Sequence, residues 1–338
     1  MTNPVSHFLA AIWIFLMLGI SPAAAQPFEA VGERALGMGG AFVAVANDST
    51  ATWWNPAGLA GGPFLDLALG HASASADSEY PASRARAGWI SLGTPPLGVS
   101  YYHFKITDIR GIPPTGTAEA GREDRAAGEG IRSLSISQFG ATVLHTITTG
   151  VTAGATVKYV RGTVRTRAFG LADAAVAISD LLDSGDDLDD GESDGTVDID
   201  VGMLATRGAM RFGLTARNLR EPRLGGREVP RQVRAGVAFD GPAAGSVPVT
   251  VSVDADLQRY DGTAGDRRVI AFGGEYWLRS ERLAVRGGAR FNTVGEQDRT
   301  VTAGASVLAR AGLFIEGHAA VGGDPRERGW GVAARVSF

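Results

Sequence analysis

The 338-residue sequence contains no cysteine, which excludes disulfides and a lipid attached through an N-terminal Cys. Histidine is scarce. Of the five present, His7 lies in the first segment, and His71, His103, His145 and His318 each stand alone in strand-like stretches. No G-x-S-x-G context accompanies them, so nothing points to a serine nucleophile, and no enzymatic activity is expected. Basic residues are not in excess: 32 Lys and Arg against 36 Asp and Glu leave a net charge of -4, without the positive footprint of a nucleic-acid binder. No stretch beyond the first 25 residues approaches the ~18 to 20 continuous apolar residues of a membrane helix. A mature chain residing in a membrane must therefore cross it as strands.

What is present fits that alternative. Glycine numbers 47, about twice the usual share. Residues 1–25 read as a secretory signal peptide: Phe8 to Ile20 is an apolar core too short to span a bilayer, and Ala23-Ala24-Ala25 offers small residues for cleavage before Gln26. The stretch before that core departs from the usual pattern in having neither Lys nor Arg.

Residues 63–338 form a series of alternating segments with period two, the pattern of strands with one apolar and one polar face. In one of them Val247, Val249, Val251, Val253 and Ala255 share a face opposite Thr250, Ser252, Asp254 and Asp256. About fourteen such segments can be counted: 64–73, 83–93, 97–106, 131–147, 150–162, 196–207, 209–219, 230–240, 246–259, 266–278, 281–292, 299–310, 311–321 and 328–338. Connections after odd segments are long and those after even segments are mostly tight turns, as in outer-membrane barrels with extracellular loops and periplasmic turns. Both termini are then expected in the periplasm. The same alternation sets Lys158, Asp200, Arg211, Arg217, Arg234 and Asp254 opposite the aliphatic residues, together with Asp256, Glu275, Arg286, Arg290, Glu316 and Arg335. Lipid cannot solvate such groups, so their face must be the lumen. The expected fold is an all-β, antiparallel transmembrane barrel. Its last strand carries Trp330, Val332, Val336 and the terminal Phe338 on one face, similar to the signal by which outer-membrane barrels are recognised by the barrel assembly machinery.

One stretch breaks the alternation. Gly32 to Ala60, GERALGMGGAFVAVANDSTATWWNPAGLA, packs Gly37, Gly39 and Gly40 into four positions and ends on Asn55-Pro56-Ala57-Gly58. Glycines there permit unusual backbone angles or close approach, and Pro56 fixes φ. This stretch closely resembles the N-terminal segment of the FadL-like outer-membrane protein superfamily, especially its PorV/PorQ-type branch. The resemblance implies that residues 26–62 are a hatch inside the lumen, with Asn55, Pro56 and Ala57 in its plug. It further implies uptake of hydrophobic small molecules without a cofactor. The PorV-type branch offers an alternative role, a type IX secretion subunit that docks and shuttles exported protein cargo.

Three further motifs carry weaker signals. Gly37-Met38-Gly39 lacks the third glycine and the strand-turn-helix frame of a dinucleotide site. The acidic run from Asp186 to Asp194 is out of register with a calcium loop and reads as a solvated loop, so no metal is expected. Ala168 to Asp183 shifts to a period near 3.6 and predicts a helix above the extracellular mouth, with Leu171, Ala175, Ile178 and Leu182 on its apolar face. That face either collects a hydrophobic ligand, as the resemblance implies, or packs on the barrel mouth.

The first prediction is that the mature chain begins near Gln26 and fractionates with the outer membrane as a heat-modifiable band. N-terminal sequencing of that band checks it, and a soluble full-length product would overturn it.

Overall fold

The computed structural model describes residues 24–25, 29–111, 130–185, 187–188, 191–224, 227–262, 265–278, 282–295 and 297–338. Most of the expected signal, most of loop 107–130, and Asp186, Asp189 and Asp190 of the acidic run lie outside these residues.

Fourteen strands close into one antiparallel barrel. They are β1 (Asp66–Ala76), β2 (Ala82–Thr94), β3 (Leu97–Arg110), β4 (Gly130–Thr148), β5 (Val151–Ala168), β6 (Glu192–Arg207) and β7 (Met210–Arg217), then β8 (Gln232–Asp240), β9 (Val249–Asp256), β10 (Val269–Leu278), β11 (Leu283–Asn292), β12 (Arg299–Arg310), β13 (Leu313–Gly322) and β14 (Gly329–Ser337). Each strand pairs with its sequence neighbours, and β14 returns to β1 with Ser337 opposite Asp66. Leu65 and Phe338 extend that seam by exchanging backbone hydrogen bonds of 2.9 and 3.1 Å. Closure leaves no edge with unpaired backbone groups, the condition for crossing hydrocarbon with strands.

The two faces divide as the alternation requires. Val237, Val251, Val253, Phe272, Val285 and Val301 are exposed on the outside. All twelve charged residues assigned above to the lumen are buried. On β14, Trp330, Val332 and Phe338 are exposed and Val336 is partly so, while Gly331, Ala333 and Arg335 are buried.

The wall is uneven in height. Strands β4, β5 and β6 have 19, 18 and 16 residues, whereas a tilted crossing needs about 9 to 11. β4 matches its expected segment to within a residue at each end, whereas β5 and β6 run beyond theirs because their outward residues turn polar while the ladder continues. The apolar alternation therefore ends before the strand does.

The loop between β5 and β6 corrects the expectation of one continuous helix over 168–183. A 3-10 turn (Leu171–Ala175) and a helix α1 (Ile178–Ser184) are separated by extended residues Val176 and Ala177, with ψ of 139 and 146°. Asp173 folds the first turn back onto the strand end, accepting from the Gly170 N–H at 2.6 Å and from Arg167 at 2.9 and 3.1 Å. Those Arg167 hydrogen bonds hold the Asp173 carboxyl below its usual range. The second turn then swings round to bury Leu181 and Leu182 against Ala82, Ile109 and Ile131, with Ile178 packed alongside. Ala82, Ile109 and Ile131 share the strand face that bears exposed Ile90, Val99 and Phe139 farther along. The helix therefore lies against the outside of the wall rather than over the mouth, and Ala175 stays exposed. Of the two readings of this apolar face, packing on the barrel accounts for Ile178 and Leu182.

The second prediction concerns the seam. Deleting Phe338 removes both hydrogen bonds to Leu65, each contributing about 0.5 to 1.5 kcal/mol. The heat-modifiable fraction in outer-membrane preparations should fall, whereas Ser337→Ala should assemble normally; equal assembly of the truncation and the parent would contradict this.

Candidate functional site: the lumenal segment and its cavity

Residues 30–60 are almost entirely buried, yet they contain little regular structure beyond the short helices Glu33–Gly37 and Ala51–Trp54 and the 3-10 turn Pro56–Gly61. Their contacts reach strands on every side of the closed ring, which places the segment inside it.

Toward β8–β14 the contacts are ionic or hydrogen-bonded. Arg34 donates to Glu275 at 2.8 and 2.9 Å, and the same carboxylate accepts from Arg286 at 2.6 Å. Glu29 pairs with Arg234 at 2.7 Å, which also pairs with Asp256 at 2.7 Å. Asp254 accepts the backbone N–H groups of Phe42 and Val43, both at 2.7 Å. Glu33 meets His318. Burial pushes the Glu33 carboxyl up, opposed by the hydrogen bond and charge of His318. A buried ion left without its partner is strongly destabilising, so these pairs fix the segment's position.

Toward β3–β7 the contacts are aromatic and close-packed. The Trp53 ring lies 5.0 Å from Tyr102 and 5.1 Å from Phe104, between centroids. The Arg217 guanidinium stacks 3.4 Å above Trp53, a cation–π arrangement in a desolvated site. Thr52 and Tyr102 share a hydroxyl hydrogen bond of 2.5 Å.

The sequence-predicted residues fall into place within this frame. Gly39 has φ of +70°, and a Cβ there would stand 2.8 Å from the Ala289 nitrogen. Gly40 has φ of +85° and faces Glu29. The carbonyl of Gly37 accepts from Thr302 at 2.9 Å. Gly58 abuts the Ala46 carbonyl, within the segment itself. Asn55 donates to the carbonyls of Val43 (2.9 Å) and Met203 (3.0 Å) and accepts from the Ala57 N–H at 3.2 Å. Asn55 thus meets the wall through the Met203 backbone carbonyl, because the segment runs close to β6. Pro56 opens the 3-10 turn, and Ala57 is fully buried.

Sequence reasoning missed two features. The first is the set of wall glycines that receive the segment. A Cβ on Gly202 would lie 2.0 Å from the Asn55 side-chain oxygen, one on Gly154 2.5 Å from the Pro56 carbonyl carbon, and one on Gly288 2.3 Å from the Gly39 nitrogen. Glycine inside a strand often marks such an approach, and these inward glycines were the available signal. The second feature is a cavity of about 170 Å³ at the long-connection end of the lumen. Glu29, Ala30 and Leu36 of the internal segment border it, Ala72, Ala87, Phe104 and Ile106 form an apolar side, and Arg267, Arg290 and Glu327 a polar one. Small inward residues on β1 and β2 create the space, where other strands direct Arg or Glu inward. On the polar side Arg267 pairs with Glu327 at 2.6 Å, and Arg290 pairs with the same carboxylate.

A closed fourteen-strand barrel with a chain segment in its lumen has the fold of FadL-type outer-membrane channels. No known sequence family matches the chain, and neither does any curated protein. Among solved structures it is similar to the Ralstonia pickettii toluene transporter TbuX, with a TM-score of 0.63, 14% identity, and coverage of 92% of this chain and 99% of that one. The CymD monoaromatic hydrocarbon channel gives a TM-score of 0.63 and 13% identity, over 93% of this chain and 99% of that one. A Pseudomonas aeruginosa FadL homologue gives 0.62 and 9%, over 94% and 100%. At such identities the likeness is one of fold.

The third prediction uses the wall glycines. Gly288→Val should push Met38 and Gly39 off the wall at an overpacking cost of about 1 to 3 kcal/mol, raising single-channel conductance while the barrel stays heat-modifiable. Gly287→Val, on the outward face, should change neither; equal conductance of the two variants would show that the contact does not seal the lumen.

Proposed function

We propose that the chain is a bacterial outer-membrane protein that takes up hydrophobic small molecules, with residues 26–62 acting as a hatch. The observation that carries this reading is the cavity bordered by Ala72, Ala87, Phe104 and Ile106 on one side and by the internal segment on another. A small apolar molecule entering from the long-connection end would meet that space before the segment blocks its path. The loop lengths support an extracellular mouth and periplasmic termini. Passage then requires the segment to shift, and the Asn55-Pro56-Ala57 turn is the anchor whose release matters, with Gly37, Gly39, Gly40 and Gly58 setting the segment's close approaches. No covalent step and no cofactor enter the scheme. The similar solved proteins named for toluene or monoaromatic hydrocarbons agree with the ligand class. Trp330, Val332, Val336 and Phe338 serve recognition by the assembly machinery.

The N-terminal motif favours a second reading, in which the barrel is a PorV-type docking subunit for secreted proteins. The two readings differ in what accompanies the detergent-extracted protein: a copurified hydrophobic molecule supports uptake, and a crosslinked secreted protein supports docking.

The fourth prediction tests the hatch. Replacing Asn55 and Pro56 together with Ala removes two side-chain donations at a local cost on the order of 1 to 3 kcal/mol, while the strand ladder is untouched. Permeability of reconstituted vesicles to small apolar solutes should rise with assembly unchanged. Failure to assemble would make the turn structural, and assembly with unchanged permeability would remove it from gating.

A further inference from the structure

The charged border of the lumenal cavity is paired at every position but one. Glu29 is held by Arg234, and Arg267 and Arg290 by Glu327. Arg326 pairs with Asp324 at 2.7 Å, Arg86 with Asp183 at 2.8 Å, and His318 meets Glu33. Asp108 is the exception. It borders the cavity, yet among the described residues no hydrogen bond or ion pair engages its carboxylate. Arg132 stands opposite it in the β3–β4 ladder without an ion pair joining the two. Asp108 follows Phe104 and Ile106 on the inward face of β3 and is only half-buried. Each two-residue step along a strand advances about 6.5 Å. The wall of the cavity is therefore apolar at its inner end and presents a free acceptor one step nearer the mouth.

Size and charge narrow what this space can take. A cavity of about 150 Å³ admits benzene, so one of about 170 Å³ holds a single ring with one or two small substituents rather than a long acyl chain. Phe104 gives that ring an aromatic neighbour, and Ala72 and Ala87 leave it room. An anion finds no free cation on the border, since each guanidinium there already has a carboxylate partner. A cation meets four guanidiniums, those of Arg86, Arg267, Arg290 and Arg326, around the same space. A neutral ligand avoids both conflicts. Covering Asp108 with a purely apolar molecule strips water from its carboxylate without replacement, which costs free energy. A hydroxyl restores what is lost, in a short hydrogen bond assisted by the carboxylate charge.

We propose that the cavity selects small neutral ring compounds bearing a hydroxyl, the phenol class, over plain hydrocarbons and over carboxylates, and that Asp108 is the residue that sets this specificity. The ring lies against Phe104, Ala72 and Ala87, and its hydroxyl donates to the Asp108 carboxylate on the mouth side. Ser83, opposite Asp108 in the β2–β3 ladder and also on the cavity border, supplies a hydroxyl that can donate to the oxygen of the ligand. The proposal rests on the uptake reading for the ligand's route, and it adds a polar requirement that hydrophobicity alone does not impose.

Isothermal titration of the full barrel in neutral detergent, corrected for partition into protein-free micelles, compares p-cresol, toluene, p-toluate and 4-methylbenzylamine. The parent should bind p-cresol at least about tenfold more tightly than toluene, the range of a hydrogen bond to a charged group, and more tightly than either ion. Asp108→Ala should bring p-cresol down to the affinity of toluene while toluene binding stays within about twofold. Asp108→Asn keeps an acceptor oxygen and should retain part of the preference. Ala87→Leu fills the space and should lose both neutral compounds; p-cresol binding retained there would put its site elsewhere and overturn the proposal. Equal binding of p-cresol and toluene by the parent overturns it and leaves uptake of hydrophobic molecules standing. Absence of binding by all four compounds overturns it together with the cavity's part in uptake. Tighter binding of p-toluate or of the amine would indicate an ion site and overturn it too, as would an unchanged preference in Asp108→Ala. If Asp108→Ala loses its heat-modifiable band, Asp108→Asn decides: a reduced preference supports the proposal, and an unchanged one removes it.

Discussion

The structure depends on the pairing of charges that the barrel directs inward. An antiparallel ring in hydrocarbon must face lipid with apolar side chains, so charged residues on its strands point to the lumen, where isolated ions are costly. Glu275 illustrates how the cost is met. Its carboxylate accepts from Arg286 on the adjacent strand and from Arg34 on the internal segment. Arg234 does the same in mirror image, held between Asp256 on the wall and Glu29 in the lumen. Neither the ring nor the segment has a satisfied interior without the other. Mixed signs along the wall thus specify a position for the segment more than a selectivity for passing ions.

The internal segment is held differently on its two sides. Along β8–β14 the attachments include directional, charged pairs, while along β3–β7 the aromatic packing of Trp53 on Tyr102 and Phe104 takes their place; backbone is set against wall glycines on both sides, at Gly154 and Gly202 and at Gly288. Aromatic packing tolerates small rotations better than ion pairs do. The lumenal cavity opens along β1–β3 and β13–β14, where small inward residues such as Ala72 and Ala87 leave it room. The cavity therefore lies between the packed and the ionic attachments, sharing Phe104 with the first and His318 with the second.

How much of this was legible in the sequence varies by element. Val251 with Thr250, or Arg335 with Val336, declares its face through alternation alone, and this is why fourteen strands and twelve inward charges could be read directly. Arg165 and Thr163 declare nothing of the kind. Outside the bilayer both faces of a strand are polar, so β5 and β6 looked shorter than they are. The loop helix failed for another reason. Period 3.6 from Leu171 to Leu182 is compatible with one helix, but Asp173 binds the strand end and Leu181 seeks Ile109 on the outer wall, and both demands require a break. The site itself was half visible: the Asn-Pro-Ala turn stood out, while the cavity was hidden because an inward Ala72 or Ala87 carries no mark distinguishing it from filler.

The seam between β14 and β1 bears on the order of events in folding. These are the strands farthest apart along the chain, yet they are neighbours in the ring, and contacts of such high sequence separation form late. The internal segment directly precedes β1, and bulky Trp53 and Trp54 together with the ionic grip of Arg34 leave it no route through a finished wall. Enclosure as the sheet curls lets its contacts with Glu275 and Asp254 form while the seam is still open. The barrel is wrapped around its contents, so a sequence that weakens the segment's grip should yield rings sealed over an empty or disordered lumen.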